Sequence, residues 1–378
     1  MRLVYFSPVP AASYAQRPHF MVEAWLEQGI EEVLWIDPYP SRLPNLGDLR
    51  RRGGAASEAS FDTRVRVVRV PALPIEPLPG GALVNRRLLW KEVLRALDDF
   101  SSARPVVLGI GKPCALSRIA LAEVPAVFRF YDAMDDFPEF HRGLSQRSVR
   151  RHEDAIAADV DLVVCSSTSL ANKFASRGHR VERILNAYPM AGLADKSSLA
   201  KQPIADGSTI CGYVGCLGGW FDWPLVLELA SQLAAVQFEL IGPCAVPAPR
   251  RLPANVRLLP ECSREQAVMF ARRFTAGLIP FRLNRLTAGV DPIKFYEYRG
   301  LGLSVLTTRF GEMKQREHEP GVFFLERPDG FANVARAAFA YRSQPAEVAA
   351  FHRAHDWRSR FAGAQLFAVL ERRIARAA

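Results

Sequence analysis

No run in this sequence reaches the roughly 18 to 20 apolar residues that a membrane-crossing helix needs, so any membrane contact is expected to be peripheral. Metal-type cysteine spacing is also missing. The six cysteines (Cys114, Cys165, Cys211, Cys216, Cys244, Cys262) are scattered, mostly inside apolar runs such as Leu-Val-Val-Cys-Ser, and read as reduced core thiols of a cytoplasmic protein. A secretory leader is not expected, because Met-Arg-Leu-Val-Tyr-Phe-Ser-Pro is too short an apolar run before prolines and polar residues follow. There is no internal repeat, no low-complexity segment, no dinucleotide fingerprint Gly-x-Gly-x-x-Gly, and no helix-turn-helix, zinc or aromatic ribonucleoprotein motif. Acidic residues are the minority charge: 39 Asp and Glu against 49 Lys and Arg leave a net +10. Such a surface attracts nucleic acid, anionic lipid or phosphorylated small molecules. With no nucleic-acid motif present, nucleic acid is not an expected partner.

What is present is length and alternation. The 378 residues are 49% hydrophobic, enough for two domains with separate cores. Short β-rich runs (2–6, 32–36, 65–70, 105–110, 126–131, 161–165, 181–184) are interleaved with helical patterns such as 18–28 and 84–97, which predicts a parallel sheet covered on both faces. The stretch from Asn186 to Gly207, rich in small and turn-forming residues, breaks this alternation. A second series follows: strands 209–214, 238–241, 256–259, 276–281, 303–307 and 322–325, with helices 223–234 and 264–274 between them and a nearly all-helical tail from Phe331. Two successive open α/β sheets are expected to place the functional cleft where their strand ends face each other.

Two segments carry chemistry. Cys-Gly-Tyr-Val-Gly-Cys-Leu-Gly-Gly-Trp-Phe-Asp-Trp (211–223) reads as a strand, a glycine loop and a helix start, in which Gly215, Gly218 and Gly219 would let backbone amides approach an anion. Asp-Pro-Ile-Lys-Phe-Tyr-Glu-Tyr (291–298) reads as a helix start with Asp291 as N-cap and Pro292 in the first turn. Lys294 and Glu297 then share a face, the amine suited to phosphate and the carboxylate to sugar or ribose hydroxyls. A plain solvent-facing Lys–Glu pair is the alternative.

These motifs, with Phe-Glu-Leu-Ile-Gly-Pro (238–243), Asn-Val-Arg-Leu-Leu-Pro (255–260) and Leu-Ile-Pro-Phe-x-x-Asn-x-Leu-Thr (278–287), resemble bacterial GT-B glycosyltransferases of exopolysaccharide, capsule and teichuronic-acid pathways, with family 4-like C-terminal domains. Similarity in the N-terminal half is weaker, through Arg-Phe-Tyr-Asp-Ala-Met-Asp-Asp-Phe (129–137), Glu153, Asp161 and Ser166, and extends faintly to xanthan-type glucuronosyltransferases. The resemblance implies a GT-B α/β fold, two Rossmann-like domains facing a central cleft: 1–190 for the acceptor, 191–355 for a nucleotide-sugar donor, and a C-terminal helix within 356–378 packing back on the first domain. It implies that Gly215 and Cys216 line the donor diphosphate, that Lys294 contacts it, and that Glu297 matches the second glutamate of a paired-glutamate motif. The first glutamate would fall near Gly289, where this chain has no acid. The expected donor site comprises Gly215, Cys216, Arg282, Asn284, Thr287, Asp291, Pro292, Lys294 and Glu297.

Asp132, Asp135 and Asp136 follow the strand 126–131, at the edge an open sheet uses for function. A carboxylate there would take the proton of an acceptor hydroxyl, with Asp135 first in order; ordinary turn aspartates are the alternative. His19, at the loop-to-helix junction after the first strand, is another candidate base, and Arg17 is a candidate for an acidic acceptor, although both residue types also cap and pack a first helix. Arg282 and Arg285, if turned inward, would pair with a carboxylate on the donor, favouring a uronic acid; solvated surface arginines are the alternative. Arg87, Lys91 and Arg95, four apart on one predicted helix, together with Arg50, Arg51 and Arg52, suit anionic lipid; a core helix with a solvated basic face explains the pattern equally well. The expectation is a transferase needing no metal and no cofactor, moving sugar from a nucleoside diphosphate, UDP foremost, to a polyprenyl-diphosphate-linked glycan at the cytoplasmic face of the inner membrane. A nucleotide-sugar epimerase or hydrolase and a two-lobed sugar-binding protein are the competing readings.

Overall fold

The computed structural model describes residues 1–44, 62–190 and 208–368. It contains two compact units: Met1–Leu185 joined by the chain from Phe361 onward, and Asn186–Arg360. The arginine run 50–52, most of the linker stretch and residues 369–378 of the tail lie outside the described residues.

Among the described residues the first unit holds seven parallel strands: β1 Arg2–Phe6, β2 Glu32–Ile36, β3 Val65–Val68, β4 Val106–Ile110, β5 Ala126–Ala133, β6 Leu162–Cys165 and β7 Val181–Arg183. Their order is β3-β2-β1-β4-β5-β6-β7. The second holds six: β8 Thr209–Val214, β9 Val236–Ile241, β10 Val256–Leu259, β11 Ala276–Ile279, β12 Ser304–Thr307 and β13 Val322–Phe324, ordered β10-β9-β8-β11-β12-β13. Counted within its own unit, each sheet begins 3-2-1-4-5-6, the doubly wound order, and the first adds its seventh strand beyond the sixth. Its connections reverse between the first and fourth strands and open a crevice at their carboxyl ends. Every pairing between these strands is parallel. Sheets of this kind are covered on both faces, which is why β4 (Val-Val-Leu-Gly-Ile) and β11 (Ala-Gly-Leu-Ile) are buried throughout and apolar at every position.

Each unit has its own core. The returning chain contributes Phe367, which meets the fully buried Trp25 edge-on at 4.8 Å while Phe130 stacks on the same indole at 5.5 Å. Burying one such ring stabilises by about 1.5–3 kcal/mol. Glu182 fixes the return further by accepting the amides of Gln365 and Leu366 at 2.6 and 2.8 Å.

Two expectations need correction. The single helix over 84–97 is two, Gly81–Leu88 and Lys91–Ser102, so Arg87 does not share a face with Lys91 and Arg95. The first helix stops because the Asn85 carbonyl takes the amides of both Leu89 and Trp90, while the buried Trp90 indole donates to the Pro71 carbonyl at 3.1 Å. The cysteines are all free, but only Cys114, Cys165 and Cys211 are buried; Cys216 and Cys262 are half-buried and Cys244 is exposed.

Candidate functional site

In the second unit the crevice lies where β8 and β11 end. β8 runs into Gly215, whose φ of 141° is open to glycine and strained for other residues. A Cβ on Gly215 would lie 2.5 Å from the Lys294 ammonium. Residues 79 positions apart (294 − 215) are therefore in contact at the strand end. The next strand ends equally close: a Cβ on Gly242, after β9, would lie 2.4 Å from the Gly215 carbonyl oxygen. The Lys294 ammonium rests 5.2 Å from the centre of the Tyr213 ring, whose hydroxyl donates to the Cys216 carbonyl at 2.8 Å.

Lys294 and Glu297 sit on the helix Ile293–Gly300, both half-buried. They form no ion pair with each other, and neither side chain has a hydrogen-bond partner among the described residues. Burial lowers the Lys294 pKa, with Glu297 and Cys216 opposing it; burial raises that of Glu297, with Lys294 and Arg264 opposing. Glu297 lines a small cavity with Tyr188, Val214, Arg264 and Tyr298, and the Arg264 guanidinium lies 5.0 Å over the Tyr188 ring. Tyr188 and Arg264 have no motif around them and were not read from the sequence as site residues.

The other expected donor residues do different work. Pro292, not Asp291, is the N-cap of that helix. Asp291 is buried and fully engaged: Arg316 and the Tyr296 hydroxyl donate to it at 2.7 and 2.8 Å, and the Asn186 amide at 2.7 Å. Arg316, 25 residues away in sequence, also covers the Phe295 ring at 3.8 Å, so this network anchors the start of the Lys294 helix. Asn284 and Thr287 cap each other reciprocally at 3.0 and 3.1 Å, which closes the loop after β11. Arg282 and Arg285 are exposed beside it, with no ion pair among the described residues. The helix after the glycine loop, Trp223–Gln232, is capped by Asp222, which accepts from the Leu225 amide at 3.3 Å. Its N-terminus thus already carries a carboxylate, so the expected contribution of that helix end to an anion cradle is not available. Gly289, where a relative would carry an acid, is buried at the end of the short helix Arg285–Ala288.

In the first unit, Asp132 at the end of β5 is fully buried and held by Arg17 at 2.9 Å and the Tyr5 hydroxyl at 3.1 Å. Arg17, equally buried, also donates to the Ile184 carbonyl at 2.7 Å. These two side chains neutralise each other inside the unit, which leaves Asp132 poorly placed as a base and Arg17 poorly placed to meet an acceptor. His19 is likewise buried: the Gln16 amide donates to its Nδ1 at 3.2 Å, and its Nε2 lies 3.2 Å from the Ala11 carbonyl. Nδ1 thus caps the start of the helix Arg17–Glu27 and Nε2 ties it to the loop after β1, so His19 offers no lone pair to a substrate. Asp136 joins Lys173 at 2.9 Å, which also bonds the buried Glu153 at 2.7 Å.

Asp135 is different. It is half-buried, and its pKa is pushed up to about 7, chiefly by burial and further by Asp136 and Asp132, with Arg17 opposing. A carboxylate poised near neutrality is the state a general base requires. Among the described residues no group of three His, Cys, Asp or Glu is arranged to hold a metal ion.

No family model matches the chain, and no curated protein matches its sequence. Solved structures do match its fold. The α,α-trehalose 6-phosphate synthase of Burkholderia multivorans superposes with a TM-score of 0.63 at 14% identity, over 100% of both chains. AviGT4, a glycosyltransferase involved in avilamycin A biosynthesis, gives 0.54 at 14% identity over 99% of this chain and 96% of its own. An α-glucosyltransferase in complex with UDP and DNA gives 0.56 at 11% identity over 95% and 93%. With two parallel-sheet Rossmann-like units and these neighbours, the chain has the GT-B fold.

Proposed function

We propose that this protein is a glycosyltransferase that moves a sugar from a nucleoside diphosphate, UDP foremost, to a hydroxyl of a lipid-linked glycan in surface polysaccharide synthesis. One observation carries the reading: the half-buried Lys294 ammonium, without a carboxylate partner, lies against the glycine that ends β8 at the crevice of the second sheet. A diphosphate supplies the charge this amine lacks, and the neighbouring unpaired Glu297 accepts hydroxyls of the ribose or sugar. UDP in a neighbour's complex and the UDP-forming trehalose-phosphate synthases support the nucleotide. Arg282 and Arg285, exposed past β11, would meet a carboxylate on the donor sugar only by turning toward the crevice.

In the reaction, the acceptor hydroxyl oxygen forms the new bond to the anomeric carbon while the bond from that carbon to the diphosphate oxygen breaks. The nucleoside diphosphate leaves with the electron pair, stabilised by Lys294 and the first-turn amides of its helix, and the hydroxyl proton passes to Asp135. No step in this scheme calls for a metal or cofactor. Membrane contact is assigned to the helix Gly81–Leu88, where Leu83 and Leu88 are 59% and 69% exposed beside Arg87 and beside Arg86, which pairs with Glu123 at 2.6 Å. That is a surface for the anionic cytoplasmic leaflet. Among the described residues no helix is long and apolar enough to cross a membrane.

Thermal shift against UDP- and GDP-sugars tests the reading, since a donor bound only by the folded chain adds about 2.7 kcal/mol at a hundredfold excess over Kd. A shift with one nucleotide that disappears in Lys294→Ala is expected. An equal shift in that variant would remove the phosphate role, and sugar release without acceptor would indicate hydrolysis instead.

A further inference from the structure

Asp135 makes no hydrogen bond or ion pair among the described residues, while the residues on either side of it in the chain are tied down. On one side the Met134 carbonyl accepts from the buried Ser166 hydroxyl at 2.7 Å, and the Ser166 amide donates to the Ala133 carbonyl at 3.2 Å. On the other, the Asp136 carboxylate accepts from Lys173 at 2.9 Å and the Asp136 carbonyl from the Glu139 amide at 2.9 Å. The loop after β5 is therefore fixed immediately before and immediately after the one carboxylate it leaves unengaged.

Lys173 is the centre of this arrangement. It lies in the last turn of the helix Thr168–Ala175, 37 residues from Asp136 and 20 from Glu153. Its amine also donates to Glu153 Oε2 at 2.7 Å, and Glu153 Oε1 takes the Tyr131 hydroxyl at 3.0 Å. Glu153 is fully buried in the helix Gly143–Asp159 and Tyr131 in β5, so one ammonium joins two helices, the strand and the loop that follows it. Burial alone would lower the Lys173 pKa, but Glu153 and Asp136 outweigh it and keep the amine charged.

The charges of this cluster do not cancel. Arg17 matches Asp132, but Lys173 alone serves both Asp136 and Glu153, which leaves one negative charge over beside Asp135. Cys165, Tyr5 and Tyr131 keep their protons, because burial raises the pKa of each. Of the carboxylates, Asp136 is bonded to Lys173 and adjoins Asp135, so Lys173 reaches Asp135 through it, holding that carboxylate against the helices and cancelling part of its charge. We propose that Lys173 is a positioning residue for the transfer reaction: by binding Asp136 and Glu153 together it fixes the loop after β5 and keeps the Asp135 carboxylate free for an acceptor hydroxyl. Only the use of Asp135 as the base rests on the transferase reading; the network does not.

The test is carbon-13 NMR of the full-length protein labelled at its aspartate carboxyls, with the Asp135 signal identified by its loss in Asp135→Asn. In the unaltered protein that signal is expected to titrate with a midpoint of about pH 7. Asp136→Asn, which leaves the Lys173–Glu153 pair whole, is expected to lower the midpoint by about one pH unit. Lys173→Met combined with Glu153→Gln, which removes that pair without stranding a buried charge, is expected to raise it by about one unit. Lys173→Arg, of the same charge, should keep the unaltered midpoint. A lysine that merely supports the fold would leave the midpoint in place in every folded variant; that result, or shifts of one direction in the first two variants, would overturn the positioning role. The base has its own readout, release of UDP from UDP-glucose or UDP-glucuronate over the same pH range. A profile that follows the shifted midpoints supports Asp135 as the base. No release, or a profile indifferent to those midpoints, would defeat that reading while leaving the Lys173 network standing.

Discussion

The two sheets share the order of their first six strands and hence have crevices in equivalent places, yet Asp132 and Asp136 in the first unit and Lys294 and Glu297 in the second are handled in opposite ways. In the first unit, Asp132 is matched by Arg17 and Tyr5, and Asp136 and Glu153 by Lys173. In the second, the charged pair on the Lys294 helix is left unmatched, while the matched pair, Asp291 with Arg316, lies behind it and holds the helix start. Matched buried charges serve the fold, because removing one strands the other. Unmatched ones cost stability that a ligand restores. The comparison therefore assigns scaffold to one set and binding to the other.

The largest effect that can break this comparison is on stability. Arg17→Met strands Asp132 and is expected to cost about 3–5 kcal/mol in denaturant unfolding. Lys294→Met, in contrast, is expected to leave stability unchanged or slightly raised. Equal losses in the two variants would erase the distinction. Next is transfer: Lys294→Ala should lower the rate by about a hundredfold to a thousandfold through lost stabilisation of the leaving diphosphate, measured by UDP release.

Smaller, and specific to the first unit, is the pH dependence of Asp135. Its folded pKa of about 7 lies above the ordinary 3.8, so the base is protonated below neutrality. Transfer should rise about tenfold per pH unit up to about pH 7 and then level, and Asp135→Asn should abolish that limb of the profile. The same shift makes the folded chain retain a proton that the unfolded chain releases, so Asp135's contribution to stability falls as pH rises from about 4 to about 7. The smallest effect is at the lipid surface. Arg87→Gln should weaken binding to anionic vesicles by about 1 kcal/mol in flotation assays, Arg86→Gln should matter less because Arg86 is paired with Glu123, and basic residues of the second unit should not matter.

Much of the architecture was legible because parallel strands buried on both faces are continuous apolar runs, as in β1, β2 and β8. Where tertiary contacts decide, the pattern misleads: 84–97 has a helical period throughout, but Asn85 and the buried Trp90 end one helix and begin another. The site divides along the same line. Gly215, Lys294 and Glu297 have the residue types and positions of a phosphate and hydroxyl site, but only the pairing of β8 with β11 brings Lys294 to Gly215. Asp291 looked like a ligand group because its partner Arg316 is remote in sequence, and the aspartates 132, 135 and 136 differ only in what surrounds them.

The central claim is that Lys294 at the crevice of the second sheet holds the diphosphate of the donor. Calorimetric titration of UDP into the unaltered protein and Lys294→Met tests it most directly. The account predicts saturable binding that weakens at least about tenfold in the variant; UDP binding of equal affinity to both proteins would contradict it.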